Sequence, residues 1–182
     1  MDLHHAIRTR STVHRYLAEP VPTDVIDRAL AAAHQAPNHK LTWPWRFTVV
    51  GAKTRALFLP VAEALKAKRG PLTDKGRALI AEKLLNPSLI VVSMMRCEVP
   101  FQAREDYAAT ACAIQHIQLS AHADGFGAKW SSGGLTTAPD TYRTLEIDPA
   151  IEEIVGFIWI GVPAQRSEVV RPPLEGFVRR LD

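Results

Sequence analysis

The alternation of apolar and polar positions divides the chain into helical and extended segments of ordinary length. In "VPTDVIDRALAAAHQA" (21–36), Val25, Ile26, Ala29, Leu30 and Ala33 fall on one face of a helix. Thr23 is its expected N-cap, Asp24 suits the positive helix end, and Pro37 stops it. Before it, residues 2–9 read as a short helix running into the polar "RTRST" (8–12). "RFTVVG" (46–51) reads as a strand, 53–68 as a helix containing Pro60, and 71–85 as a further helix weakened at Gly76. "SLIVVSMM" (88–95) is a continuous apolar run rich in β-branched residues, as a central strand requires.

The longest helix is expected over 104–124 and ends at Gly125. Small or apolar residues cover most of its circumference, so it is predicted to be buried on several sides, in a domain centre or a subunit interface. After it come "GAKWSSGGL" (127–135), a helix following Pro139, the strand "IVGFIWIG" (154–161) and a tail from Val162 rich in proline and arginine. Three or four strands spaced between helices predict an α+β or α/β sandwich, with one sheet and helices on both faces. There is no repeat, low-complexity segment or linker, so residues 1–182 are expected to form one domain.

Composition narrows the function. No apolar run approaches the roughly 20 residues needed to span a bilayer, and "MDLHHAIRTRS" has no signal-peptide core, which predicts a cytoplasmic protein without membrane contact. Cys97 and Cys112 stand in apolar settings and are expected to be buried thiols in a reduced compartment. The net charge of +3 is scattered, with its densest groups at 66–70 and 178–180. A nucleic-acid binder shows a stripe or patch. The basicity suits a solvated surface or a small phosphorylated ligand.

Phosphate-loop, dinucleotide-fingerprint, nucleophile-elbow and zinc-protease patterns are all missing. His116 and His122 lie six residues apart on one helix and point about 120° away from each other, which marks them as structural histidines rather than a metal pair. Three polar clusters remain. "RTRST" brings Arg8 and Arg10 beside hydroxyls and can fork onto a phosphate, or else is a solvated helix exit. "APNHKLTWPWRF" (36–47) sets His39 and Lys40 before two tryptophans, of which Trp45 suits the core. "WSSGG" (130–134) has glycines that permit close backbone approach to a ligand, or else form a plain turn. Together they suit a ligand with a phosphate at one end and a flat, polar-edged ring at the other. With no nucleophile beside a base, a cofactor is expected to supply the chemistry.

Four of these segments resemble, in order, the FMN-dependent nitroreductase family: "IRTRSTVHRYLAEPVP", "AAAHQAPNHKLTWPWRFTVV", "GFGAKWSSGGL" and "IVGFIWIGVP". The short length and the histidine of "APNHK" are similar to the compact single-domain, YdjA-like branch. The resemblance implies an α+β nitroreductase-like fold: a mixed central sheet flanked by helices, in an intertwined homodimer with FMN at the interface. It implies that Arg10, Ser11 and Thr12 match an Arg-Arg-Ser motif holding the phosphate and adjacent flavin edge. Ser11 and Thr12 depart from that motif, and one positive charge is lost. It further implies that His39 approaches the cofactor from the partner subunit, and that Gln35 is a cofactor-binding position at which close relatives carry arginine. Trp130, Ser131 and Ser132 then lie along the flavin, and Arg171 faces the phosphate, with Arg166 as its rival.

The implied activity is ping-pong oxidation of NADH or NADPH, with hydride passing through flavin N5 to a small electron-poor acceptor such as a nitroaromatic or quinone. No side chain is expected to act as acid or base. The resemblance leaves open a same-fold FMN enzyme with other chemistry, such as enone reduction or dehydrogenation, and a non-catalytic flavin-binding module. Residues 66–87 are the expected substrate-facing insertion.

Overall fold

A computed structural model describes residues 1–181. Helix α1 (Leu3–Thr9) is capped by Asp2, whose carboxylate accepts from the His5 N–H at 3.0 Å. Helix α2 (Thr23–His34) buries Val25, Ile26, Ala29 and Ala33, as the periodicity predicts. Its N-cap is Pro22 rather than Thr23, and no side chain caps it. Asp24 instead pairs with Arg28 one turn along. Strand β1 (Trp45–Val50) follows.

The helix expected over 53–68 is broken at Leu57 into α3 (Ala52–Ala56) and α4 (Phe58–Ala67). The break leaves Pro60 in the first turn of α4, where its missing N–H has no intrahelical partner to lose. Helix α5 (Asp74–Leu85) starts three residues later than expected because Thr73 caps it, accepting from the Gly76 N–H at 3.2 Å. Strand β2 (Ser88–Met95) coincides with the apolar run. Helix α6 (Pro100–Ala123) begins four residues before the expected start, with Pro100 at its first turn, where proline is well tolerated. Gly125, at φ +91°, closes it. Strand β3 (Gly127–Ser131), helix α7 (Pro139–Leu145) and strand β4 (Glu152–Gly161) complete the domain.

The α+β class holds. The sheet runs β1-β2-β4-β3, and every adjacent pair of strands is antiparallel. The mixed character expected of it is confined to one parallel bridge, between Thr12 and Ala128. Neither cysteine is the buried thiol expected of it: Cys112 is exposed in the protomer and Cys97 only partly buried.

The sheet carries an apolar core on each face. One face packs Ile90, Val92, Ile158 and Ile160 against α2 and α6, through Ala29, Ala33, Ala113 and Ile117. Small residues where α2 and α6 meet let the helices approach closely. The other face packs Leu89, Val91, Phe157 and Trp159 beneath Phe58 of α4 and Leu84 of α5. Lys129 and Ser131 of β3 fall on this second face, because side chains alternate along a strand. Ala128 and Trp130 fall on the first.

Candidate functional site

The segment after α1 runs beside the start of β3. The Val13 N–H donates to the Ala128 carbonyl at 3.1 Å, next to the Thr12–Ala128 bridge. Further on, the Leu17 N–H donates to Val162 O at 2.9 Å and the Ala164 N–H to Arg15 O at 3.0 Å. Residues 10–17 are thus clamped between β3 and the chain leaving β4. This pairing joins two of the three polar clusters, "RTRST" and "WSSGG". A Cβ at position 127 would come within 2.5 Å of the Val13 side chain, so Gly127 permits the segment to lie this close. Ser11 is buried, Arg10 and Thr12 are half-buried, and Ser132 is exposed.

The tail returns to the same place. Arg171 donates to the carbonyls of Arg8 and Arg10 at 3.4 and 3.5 Å. Partial burial of Arg10 first, and the charge of Arg171 second, lower the pKa of the Arg10 guanidinium. Among the described residues Arg8, Arg10, Arg166 and Arg171 take part in no ion pair. Cations drawn together without a carboxylate favour an anion from outside the chain.

Arg166 is engaged differently. It donates to His122 Nδ1 at 3.1 Å and to the Gly125 carbonyl at 2.6 Å, fastening the tail to the end of α6. His122 is a structural residue, as its spacing from His116 predicts. His116 is bound to the Ala32 carbonyl at 3.0 Å and ties α6 to α2.

Trp130 lies across the sheet with its indole N–H donating to Val155 O at 3.4 Å. A Cβ at position 156 would fall inside the indole, so Gly156 makes the bed on which Trp130 rests. On the opposite face a cavity of about 490 Å³ opens beside β3. His14, Lys129, Ser131, Gly133 and Gly134 line one side of it, and residues of α4 and α5 the other. Residues of the expected insertion, including Lys66, Ile80 and Lys83, form part of its wall. The Lys129 ammonium has its pKa lowered by burial first and by Lys83 second.

Gln35 and His39 are not brought to this cluster within one protomer. Both are exposed, and neither makes a hydrogen bond to Arg10, Ser11, Thr12, Trp130, Ser131, Ser132 or Arg171. Gln35 ends α2, and His39 begins a single 3-10 turn, His39–Leu41. What shapes their loop is a network the sequence did not disclose. Buried Asp106 of α6 accepts from Thr42 Oγ1 at 2.6 Å and from Gln102 Nε2 at 2.9 Å. Asn38 donates to Thr42 at 3.0 Å and accepts from the Trp43 N–H at 2.7 Å. These bonds hold Lys40, Leu41 and Trp43 at positive φ, a conformation costly for residues with a Cβ. Trp45 is core, with its ring edge-on to His34 and its N–H on His34 Nδ1 at 3.3 Å.

Residues 7–162 match the nitroreductase family profile. The chain belongs to the nitroreductase family. It is 31% identical over 176 residues to "Putative NAD(P)H nitroreductase YfhC" of Bacillus subtilis, covering 92% of this chain and 87% of that protein. It is 32% identical over 173 residues to "Putative NAD(P)H nitroreductase YdjA" of Escherichia coli K12, covering 92% and 91%. A nitroreductase-like family protein from Bacillus cereus superposes with a TM-score of 0.85 at 29% identity, over 100% of this chain and 97% of that one. A nitroreductase-type protein of Desulfovibrio desulfuricans, solved in complex with FMN, superposes with a TM-score of 0.77 at 26% identity, over 98% and 96%. Among the described residues no helix is long and apolar enough to cross a membrane.

Proposed function

We propose that this nitroreductase-family chain is an FMN-dependent NAD(P)H oxidoreductase. The observation that carries the reading is the pair Arg10 and Arg171, brought together from opposite ends of the chain with no carboxylate to balance them. Such a pair suits a phosphate, which each guanidinium can grip with two N–H donors. Names and ligands of the relatives support FMN as the molecule that carries that phosphate.

In this reading Arg10, Ser11, Thr12 and Arg171 hold the phosphate end and the adjacent ring edge. Trp130, Ser131 and Ser132 border the ring, and the exposed backbone of Gly133 and Gly134 offers N–H groups to it. Bound FMN supplies the redox chemistry, accepting hydride at N5 from NADH or NADPH and delivering it in a second half-reaction to an electron-poor acceptor such as a nitroaromatic or quinone. The chain's own part is to grip the phosphate, fix the ring and shape the space above it.

Gln35 and His39 reach this site only from a second copy. Large apolar side chains that the protomer leaves uncovered, two of them on α6, support such a homodimer. Phe101 is 65% exposed, Trp43 48% and Tyr107 49%, and Phe177 in the tail 74%. The test is steady-state kinetics with NADH or NADPH against a nitroaromatic and a quinone. Parallel double-reciprocal lines that require FMN support the reading. A protein that holds FMN and turns over no acceptor would be a binding module instead.

A further inference from the structure

The tail after β4 is anchored at few points. Tyr16 and Pro163 form an isolated bridge, and the Ala164 N–H donates to the Arg15 carbonyl at 3.0 Å. Further on, Ser167, Glu168, Val169 and Val170 are exposed and make no hydrogen bond among the described residues. Arg171 then meets the carbonyls of Arg8 and Arg10 at 3.4 and 3.5 Å, longer than a strong hydrogen bond. Contacts that long do not by themselves bring a tail back across the molecule. The anchor before them is Arg166, which donates to the Gly125 carbonyl at 2.6 Å and to His122 Nδ1 at 3.1 Å.

His122 is itself held. It is buried, and its Nε2 lies 2.8 Å from Thr9 Oγ1, on the helix that leads into Arg10. One ring therefore joins the end of α6, the end of α1 and the tail. Arg166 only donates, so its hold on the ring needs the Nδ1 lone pair. The charged and titratable groups that face the ring are Arg166 from the tail, Arg10 from the segment after α1, and His5 from α1. Asp124, two residues further along α6, is paired with Arg28 of α2 at 2.9 Å. A proton on Nδ1 would put a donor where Arg166 needs an acceptor, among cations and with no free carboxylate to steady it.

We propose that Arg166 is a positioning residue for the phosphate site, pinning the tail through neutral His122 so that Arg171 meets Arg10. Arg166 acts through Arg171 and touches no phosphate itself. The proposal rests on the oxidoreductase reading for the identity of the anion, FMN. The pinning of the tail does not.

The test compares FMN with riboflavin, which lacks only the phosphate, by fluorescence titration of the parent and of Arg166→Met. A freed tail must be ordered by the phosphate, and ordering even one backbone residue implies a loss of about tenfold. FMN affinity is expected to fall by at least that factor in Arg166→Met, while riboflavin affinity stays. Equal losses for the two flavins, or none for either, would overturn the proposal. The pH profile is the second arm. His122→Asn keeps an acceptor oxygen near the place of Nδ1 but takes up no proton. As pH falls from 8 to about 5, the preference for FMN over riboflavin should shrink more in the parent than in His122→Asn. The loss common to both is the phosphate's own protonation near about pH 6. Matching profiles would overturn the proposal. So would a parent preference that grows, since a charge on His122 would then serve the phosphate directly. This arm decides the matter if Arg166→Met fails to fold. A protein that binds neither flavin defeats the flavin reading, and the amide relaxation of Val169 and Val170 then decides this one. Both should become mobile in Arg166→Met, or in the parent at about pH 5, and unchanged mobility would overturn the proposal.

Discussion

Arg166 donates to His122 Nδ1, and this single contact fixes the protonation state of a buried histidine. A guanidinium cannot accept, so Nδ1 must carry a lone pair and the ring proton sits on Nε2. That proton is directed at Thr9 Oγ1, 2.8 Å away, and Thr9 passes its own on to the His5 carbonyl at 2.7 Å. The chain of three bonds joins the tail, α6 and α1 immediately beside Arg10.

Burial first, then the charges of Arg166, Arg10 and His5, hold the His122 pKa below its ordinary value. The sign follows. The folded protein keeps His122 neutral, so its contribution is complete above about pH 6.5 and is lost as pH falls below that value, where the unfolded chain takes up the proton more readily. Denaturant titrations from pH 8 down to about 5 should show stability falling more steeply in the parent than in His122→Gln. Identical slopes would mean that His122 is not held neutral.

Arg10 and Arg171 should share the FMN phosphate. Arg10→Ala or Arg171→Ala is expected to weaken FMN by about 10- to 100-fold, as loss of a charge-assisted hydrogen bond of about 1.5–3 kcal/mol implies. Fluorescence titration of FMN measures this. An FMN Kd unchanged by Arg10→Ala would remove Arg10 from the site.

The uncovered apolar side chains of α6 should lie in a homodimer interface. Phe101→Glu is expected to shift the protein towards monomer in sedimentation, because a charge placed in an apolar contact must be desolvated to remain there. FMN retention should fall with it, since His39 and Gln35 act only across the interface in this account. A monomeric variant that keeps its FMN would return both residues to the ordinary surface.

Gly156 and Trp130 should be energetically coupled. Gly156→Ala drives a methyl group into the indole and is expected to cost about 1–3 kcal/mol of stability. In a Trp130→Ala background the same substitution should cost much less. Additive effects of the two changes in thermal or denaturant melts would contradict the close contact.

The helices and strands were legible wherever an apolar period ran without interruption. The faces of α2 and the extent of β2 appear as expected because Ala29, Ala33 and Val92 simply obey that period. Boundaries shifted where capping decided them: Thr73 rather than Pro71 opens α5, and Leu57 splits α3 from α4. The antiparallel pairing of the sheet depends on long-range contacts and leaves no local trace. At the site, the "RTRST" and "WSSGG" clusters were visible as motifs, whereas their meeting through Thr12 and Ala128 was not. Asp106 was hidden because a carboxylate on a helix usually faces water, and only the fold puts Thr42 and Gln102 against it. Lys129 carries a signal in the sequence itself. Between Ala128 and Trp130 on a strand, a lone lysine must face one side of the sheet, and both sides here are core.

FMN held by this chain should be reduced by a nicotinamide donor. The most direct measurement is the visible absorption spectrum of the purified protein, taken anaerobically before and after NADH and then NADPH. A yellow protein whose flavin bands bleach with either donor is the predicted result. A protein that stays colourless after incubation with excess FMN would contradict the account, as would bound flavin that neither donor bleaches.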